Sequence, residues 1–153
     1  MPLSVGIGYD SHRFSEDRML ILGGVEIPGE KGLAGHSDAD VLTHAVIDAV
    51  LGAAGLEDIG ALFPDSEDAW KGADSLGLLQ TVVGMLRGPI HNIDVTVICE
   101  RPKLGPHRSA IVHQLAQVTS ARVNVKATTN EGMGWIGRGE GIACMAVASV
   151  DLD

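Results

Sequence analysis

Ser4-Val5-Gly6-Ile7-Gly8-Tyr9-Asp10-Ser11-His12 reads as a short β-like run that ends in two metal-binding side chains. In an extended chain, residues i and i+2 point to one face about 7 Å apart at Cα, so Asp10 and His12 can serve a single ion. A second polar stretch, His36-Ser37-Asp38-Ala39-Asp40, leads to His44 inside an expected helix. Folded against the end of the strand, His44 completes an Asp/His/His donor set, and three protein ligands with one open position is the pattern of a catalytic zinc. Solvated or locally hydrogen-bonded polar residues share this spacing, and spacing alone does not bring His44 to the strand.

Outward from that run, residues 4 to 10 and 19 to 27 read as strands, with Gly23-Gly24 marking a bulge in the second. A Gly/Pro-rich connection from Pro28 to Gly35 leads to Ser37, the expected N-cap, with Asp40 in a capping-box-like position. The following helix places Leu42, Ala45, Val46, Ala49, Val50 and Ala53 on its apolar side. Asp40, His44 and Asp48 form a separate i, i+4, i+8 stripe, expected to be free to face a site. Leu76, Leu79, Val82, Val83 and Leu86 give a second helix after Asp74-Ser75, and Ile111, Leu115 and Val118 a third. Ile93 to Cys99 and Val123 to Ala127 alternate as strands, and Ile142 to Val150 reads as a buried strand. This order predicts an α+β fold, a mixed or antiparallel sheet with helices packed on one face, whose open face needs a partner.

The 153 residues suit one domain, 1–153, with no repeat or linker dividing it. Hydrophobic residues at 45% and charged residues at 20% are ordinary for a folded chain, whereas 3% aromatics leave the core to Val, Ile, Leu and Ala. A net charge of −9 argues against a nucleic-acid surface, and an anionic phosphate ligand then needs a cation's help. Cys99 and Cys144 form no CxxC pair and read as free thiols in a reducing compartment. No run approaches the ~20 apolar residues of a membrane span and no basic-then-apolar leader is present, so the default expectation is cytoplasmic.

Loops hold further candidates. Asp58-Ile59-Gly60, Phe63-Pro64-Asp65 and Arg101-Pro102-Lys103-Leu104 are turn-rich and polar; loops of this kind concentrate binding residues, but taken singly each reads as a turn before it reads as a site. Thr128, Thr129, Asn130 and Glu131 run into Gly132-Met133-Gly134-Trp135, where hydroxyls, N–H groups and a carboxylate can converge on a phosphate and its Mg²⁺, or simply form a solvated turn. Arg138-Gly139-Glu140-Gly141 either sets a guanidinium over an anion or pairs internally. No Walker A loop or dinucleotide fingerprint occurs.

Together these stretches are similar to the 2-C-methyl-D-erythritol 2,4-cyclodiphosphate synthase family. The resemblance rests on Gly8 to Phe14, His36 to Asp40 with His44, Leu51-Gly52-Ala53-Ala54 running to Asp58-Ile59-Gly60, Phe63-Pro64-Asp65, Pro102-Lys103, Lys126 to Thr129, Glu131, and Arg138 to Gly141, in family order over nearly the whole chain. It implies an enzyme of the non-mevalonate isoprenoid pathway. Such an enzyme converts 4-diphosphocytidyl-2-C-methyl-D-erythritol 2-phosphate to the cyclic 2,4-diphosphate and CMP by attack of the 2-phosphate on the β-phosphorus. A metal-dependent phosphohydrolase that gives a linear product is the alternative.

The resemblance implies that Asp10, His12 and His44 hold Zn²⁺ and that Glu131 holds a second divalent ion, Mg²⁺ or Mn²⁺. His36 and Thr129 match residues thought to stabilise the transition state. Ser37, Asp58, Gly60 and the segment Phe63, Pro64, Asp65, Ser66 and Glu67 match the erythritol and 2-phosphate pocket, and the resemblance counts Asp10, His12, His36 and Ile59 among the substrate-binding residues as well. Cys99, Glu100, Arg101, Pro102, Lys103, Leu104 and Gly105, with Thr128, match the cytidine diphosphate side, where Thr129 and Glu131 join Lys103 in holding the leaving CMP; Asn130, Trp135 and Arg138 complete the implied substrate-binding set. The family is a homotrimer with active sites between subunits, and Trp135 and Arg138 match residues around an axial cavity proposed to hold an isoprenoid diphosphate. Asn130 stands where a third Thr is frequent and Trp135 where Phe is frequent; neither removes a metal ligand. From position alone, Asp48, one turn beyond His44, is expected to orient that ligand.

Overall fold

Alternation along β1 (Leu3–Ser15) sorts the strand into two unlike faces. Gly6 and Gly8 are buried on one, while Val5, Ile7 and Tyr9 are exposed on the other. The computed structural model describes residues 2–64 and 74–153. Its remaining strands are β2 (Leu20–Leu22), β3 (Val25–Ile27), β4 (Gly32–Leu33), β5 (Ile90–Ile98), β6 (Arg122–Thr128) and β7 (Gly141–Asp151). Helices α1 (Val41–Ala53), α2 (Ile59–Leu62), α3 (Ser75–Met85), α4 (Arg108–Thr119) and α5 (Gly134–Gly137) interleave with them.

Five strands form one mixed sheet in the order β4-β1-β7-β5-β6, with only the β5–β6 pair parallel. The α+β reading therefore holds. Strand β1 runs beyond the expected residue 10, so Asp10 and His12 stay in the ladder opposite Cys144 and Ile142. Both of those partners are buried, which puts Asp10 and His12 on the helix-covered face. The last strand is buried on both faces only over its first residues; beyond Cys144 its other face opens, with Met145 and Val147 at 40% and 42% exposed.

The helix α1 lies against β1 at unusually short range because two glycines permit it. A methyl group on Gly8 would sit 2.0 Å from the Ala45 carbonyl oxygen, and one on Gly6 would sit 2.1 Å from that of Ala49. Either clash is with backbone, which cannot swing away. Eleven of the thirteen α1 residues are buried, so the helix is covered on nearly all sides. Leu42, Val46, Ala49 and Val50 join Ile93, Val95 and Val97 of β5 and Leu79 and Val82 of α3 in one core.

Two local expectations are corrected. Residues 19–27 are two short strands forming a separate two-stranded sheet, with Gly23 and Gly24 at φ of 59° and 75° making the tight turn between them rather than a bulge. The N-cap of α1 is Asp40, whose side chain accepts from the Thr43 N–H, while Ser37 sits in the preceding loop with φ of 56°. Asp40 is fully buried and also accepts from the Gly23 and Gly24 N–H groups and the Thr43 hydroxyl. It therefore braces the hairpin and does not face a site.

Candidate metal centre and adjoining pocket

The close seating of α1 on β1 delivers His44 to the two strand residues. His12 Nε2 lies 2.9 Å from Asp10 Oδ2. His44 Nδ1 lies 3.2 Å from the same oxygen and 3.5 Å from His12 Nε2. A tetrahedral divalent ion with bonds of about 2.1 Å keeps its ligand atoms roughly 3.4 Å apart, so this triangle fits such an ion with one position left over. The three residues are the cluster with metal-holding geometry among the described residues.

Charge in this corner is strongly coupled. Burial pushes the Asp10 carboxyl up, but hydrogen bonds and attraction from His12 and His44 outweigh it and hold it at about 2. Burial disfavours charge on His44, yet hydrogen bonding and attraction from Asp10, with help from Asp40 and Asp38, raise its value above the ordinary one. A low-lying carboxylate beside a hydrogen-bonded imidazole is a donor set ready for a cation.

The donors open into a cavity of about 280 Å³ that is also lined by Gly35, His36, Ser37, Ile59, Gly60, Phe63 and Leu78. Gly35 backs the His12 ring so closely that a methyl there would meet its Nδ1 at 2.6 Å. The Arg18 guanidinium donates to the carbonyls of Gly35 and Ser37, both at 2.7 Å, and holds this loop. Asp58 stands exposed at the N-cap position of α2, making no side-chain capping bond, and Pro64 is half-buried. Asp65, Ser66 and Glu67 lie outside the described residues.

Asp48 does not orient His44. Its Oδ1 accepts from the Ile59 N–H at 2.7 Å, which pins the start of α2 to α1, and burial raises its carboxyl. Ser75 meets the ring instead, with Oγ 2.8 Å from His44 Nε2, and its hydroxyl donates to Asp38. Sequence reasoning saw Asp74-Ser75 only as a helix start; Asp74 does accept from the Leu76 N–H, but Ser75 also turns inward.

The residues matched to the cytidine side stand apart. Cys99, Pro102 and Leu104 are buried, Glu100 is half-buried, and Arg101, Lys103 and Gly105 are exposed. Glu100, Arg101, Pro102 and Lys103 line a second cavity of about 390 Å³ with Ile27, Pro28, Glu30 and His107. It shares no lining residue with the metal corner. Two hydrogen bonds tie this loop to the next: the Cys99 N–H donates to the Thr128 carbonyl at 3.0 Å, and the Asn130 N–H donates to the Glu100 side chain at Oε2, 2.7 Å away. Thr128, Thr129 and Glu131 project exposed from that second loop. Trp135 lines a large cavity of about 660 Å³ with His12, Arg13 and Phe14, while Arg138 is exposed and paired with Glu140 at 2.6 Å.

A family model described as the YgbB family matches residues 3–151. A 2-C-methyl-D-erythritol 2,4-cyclodiphosphate synthase from Trichlorobacter lovleyi is 54% identical over 151 residues, covering 95% of this chain and 96% of its own length. The bifunctional IspDF from Campylobacter jejuni superposes with a TM-score of 0.94 at 41% identity, covering 99% of this chain, which spans 43% of that longer protein. The IspF of Plasmodium falciparum, solved as a CDP complex, gives 0.84 at 31% identity over 99% of this chain and 97% of its own.

Proposed function

The chain belongs to the YgbB family, is an enzyme like its 2-C-methyl-D-erythritol 2,4-cyclodiphosphate synthase relatives, and we propose that it converts 4-diphosphocytidyl-2-C-methyl-D-erythritol 2-phosphate to the cyclic 2,4-diphosphate and CMP. An oxygen of the 2-phosphate forms a bond to the β-phosphorus. The bond from that phosphorus to the bridging oxygen breaks, and the oxygen leaves with CMP. The reaction is intramolecular, so the protein's work is to hold both phosphates in line and to offset their charge. The observation that carries this reading is the Asp10, His12 and His44 triangle, with donor atoms 2.9 to 3.5 Å apart, opening into the cavity with His36, Ser37, Ile59, Gly60 and Phe63.

The proposed resident ion of that triangle is Zn²⁺, which supplies Lewis acidity toward a β-phosphate oxygen when bound. His36 and Thr129 are proposed as hydrogen-bond donors to the phosphate oxygens that gain charge. Ser37, Asp58, Ile59, Gly60 and the segment from Phe63 to Glu67 are proposed to hold the erythritol 2-phosphate. Lys103 with its loop and Thr128 to Glu131 take the cytidine diphosphate, and Glu131 takes a second divalent ion. The CDP bound to the Plasmodium falciparum relative supports a nucleotide ligand of this kind.

One domain, residues 1–153, is proposed to assemble as a homotrimer with the metal corner of one subunit facing the cytidine loops of the next. Two observations support this. The two cavities are separate within a chain. The open sheet face presents Leu3, Val5, Ile7, Tyr9, Met145 and Val147, each at least 40% exposed, and Ile7 and Tyr9 pair across strands with Val147 and Met145. In that assembly the cavity lined by Trp135 is proposed to lie toward the axis and to take an isoprenoid diphosphate. No described helix is long and apolar enough to cross a membrane.

Incubation with the diphosphocytidyl substrate tests the reading. CMP and a cyclic diphosphate are expected by ³¹P NMR, and His44→Ala is expected to lose metal and turnover together. A linear phosphorylated product would favour the phosphohydrolase, and undiminished turnover in metal-free His44→Ala would overturn the mechanism.

A further inference from the structure

We propose that Ser75 and Asp38 form a hydrogen-bond relay that fixes the tautomer and ring plane of His44, so that Nδ1 is presented as the ligand atom. Both are positioning residues, and the proposal rests on reading Asp10, His12 and His44 as the metal site.

The direction of each bond follows from counting protons. An ionised carboxylate only accepts, so the single Ser75 hydroxyl proton goes to Asp38 Oδ1. The Ser75 oxygen is left with lone pairs, and His44 Nε2, 2.8 Å away, must donate to it. A neutral imidazole carries one ring proton. When an ion displaces the Nδ1 proton that Asp10 otherwise accepts, the remaining ring proton stays on Nε2 and the Nδ1 lone pair faces Asp10 Oδ2 and His12 Nε2, the other two corners of the triangle. Ser37 Oγ is a looser neighbour of the same nitrogen at 3.3 Å, beyond the usual range for a good hydroxyl bond.

Asp38 is itself held from two directions. Its Oδ2 accepts from the Ser75 N–H at 2.9 Å, and its Oδ1 also accepts from the Asp40 N–H at 3.2 Å. The first bond satisfies an N–H that α3 cannot satisfy internally. One carboxylate thus ties the start of α3, the loop before α1 and the His44 ring together. Ser75 is fully buried and His44 is 9% exposed, so water is a poor substitute for the hydroxyl. Partners of this kind commonly change metal affinity by about 10- to 100-fold.

Ser75→Ala is a clean probe because the backbone bond from residue 75 to Asp38 survives it. Zn²⁺ affinity is measured by chelator competition and the ligand-field spectrum on Co²⁺ substitution, with urea unfolding of the metal-free protein alongside. Ser75→Ala is expected to bind Zn²⁺ about tenfold or more weakly and to shift the Co²⁺ bands, with its unfolding still cooperative. Asp38→Asn is expected to weaken binding in the same direction and carries the test if Ser75→Ala does not fold. His44→Ala separates the two readings. If it loses the ion while Ser75→Ala binds within twofold of wild type with a superimposable Co²⁺ spectrum, the relay alone is overturned. If neither variant changes binding, the metal-site reading falls and the relay with it.

Discussion

The metal corner and the paired loops around Lys103 and Glu131 are built in opposite ways. In the corner, side chains are buried or half-buried and mutually bonded: Asp40 takes four hydrogen bonds, Asp10 and the two imidazoles form a closed triangle, and bare glycine backbone fixes the spacing of α1 from β1. In the loops, backbone groups are stapled by Cys99 to Thr128 and by Asn130 to Glu100, while Lys103, Thr129 and Glu131 stand in solvent. A preset geometry suits an ion that tolerates little error in bond length. Solvated side chains on a fixed backbone suit a flexible anionic ligand, and in the proposed assembly they await the neighbouring corner.

If the contrast is real, the corner must fail by losing its structure and the loops by losing function alone. Gly8→Ala is expected to cause the largest damage, about 3 kcal/mol or more by urea unfolding, together with loss of metal binding, because the new methyl meets the Ala45 carbonyl. Retention of wild-type stability would show that α1 can move without cost. Asp40→Ala comes next at about 3 kcal/mol, since it strands the donors of Gly23, Gly24 and Thr43 and removes a helix cap.

Acid titration of the metal-free protein gives a smaller effect. Asp10 titrates at about 2 when folded, below the usual carboxylate value near 3.9, so its contribution is present above pH ~4 and is lost as pH falls through about 2. After allowance for partial exposure this is on the order of 1 to 2 kcal/mol, and it should appear as a pH-dependent gap in unfolding free energy between wild type and Asp10→Asn. Lys103→Ala and Glu131→Ala are expected to change stability by no more than about 0.5 kcal/mol while lowering turnover. The smallest response is predicted for the thiols. Burial and then the charge of Glu100 push Cys99 up to about 11, and burial raises Cys144 well above its ordinary value. Neither should react with a disulfide reagent at pH 8 until denaturant is added.

What the sequence revealed followed the range of its signals. The i, i+2 placement of Asp10 and His12 is a property of one strand and was readable from period. The arrival of His44 depends on a helix crossing that strand 32 residues on, so it rested on family resemblance. Ser75 was missed because a serine at a helix start already has a local explanation, and its contact with Asp38 spans 37 positions. The hairpin was misread because Gly-Gly between apolar residues serves both bulge and turn. The stripe of Asp40, His44 and Asp48 held for His44 alone, because Asp40 and Asp48 turned to backbone partners of their own, a choice no helical wheel contains.

The glycine seats at Gly6 and Gly8 also act as a gauge of register. A slip of α1 by one residue rotates its side chains by about 100° and shifts them about 1.5 Å along the axis, which carries His44 away from Asp10 and His12. The carbonyls of Ala45 and Ala49 find room at those two glycines because neither carries a Cβ. The helix therefore has one seating in which three donors meet, so ion uptake by a freshly refolded sample is a direct readout that α1 and β1 have locked in their native alignment.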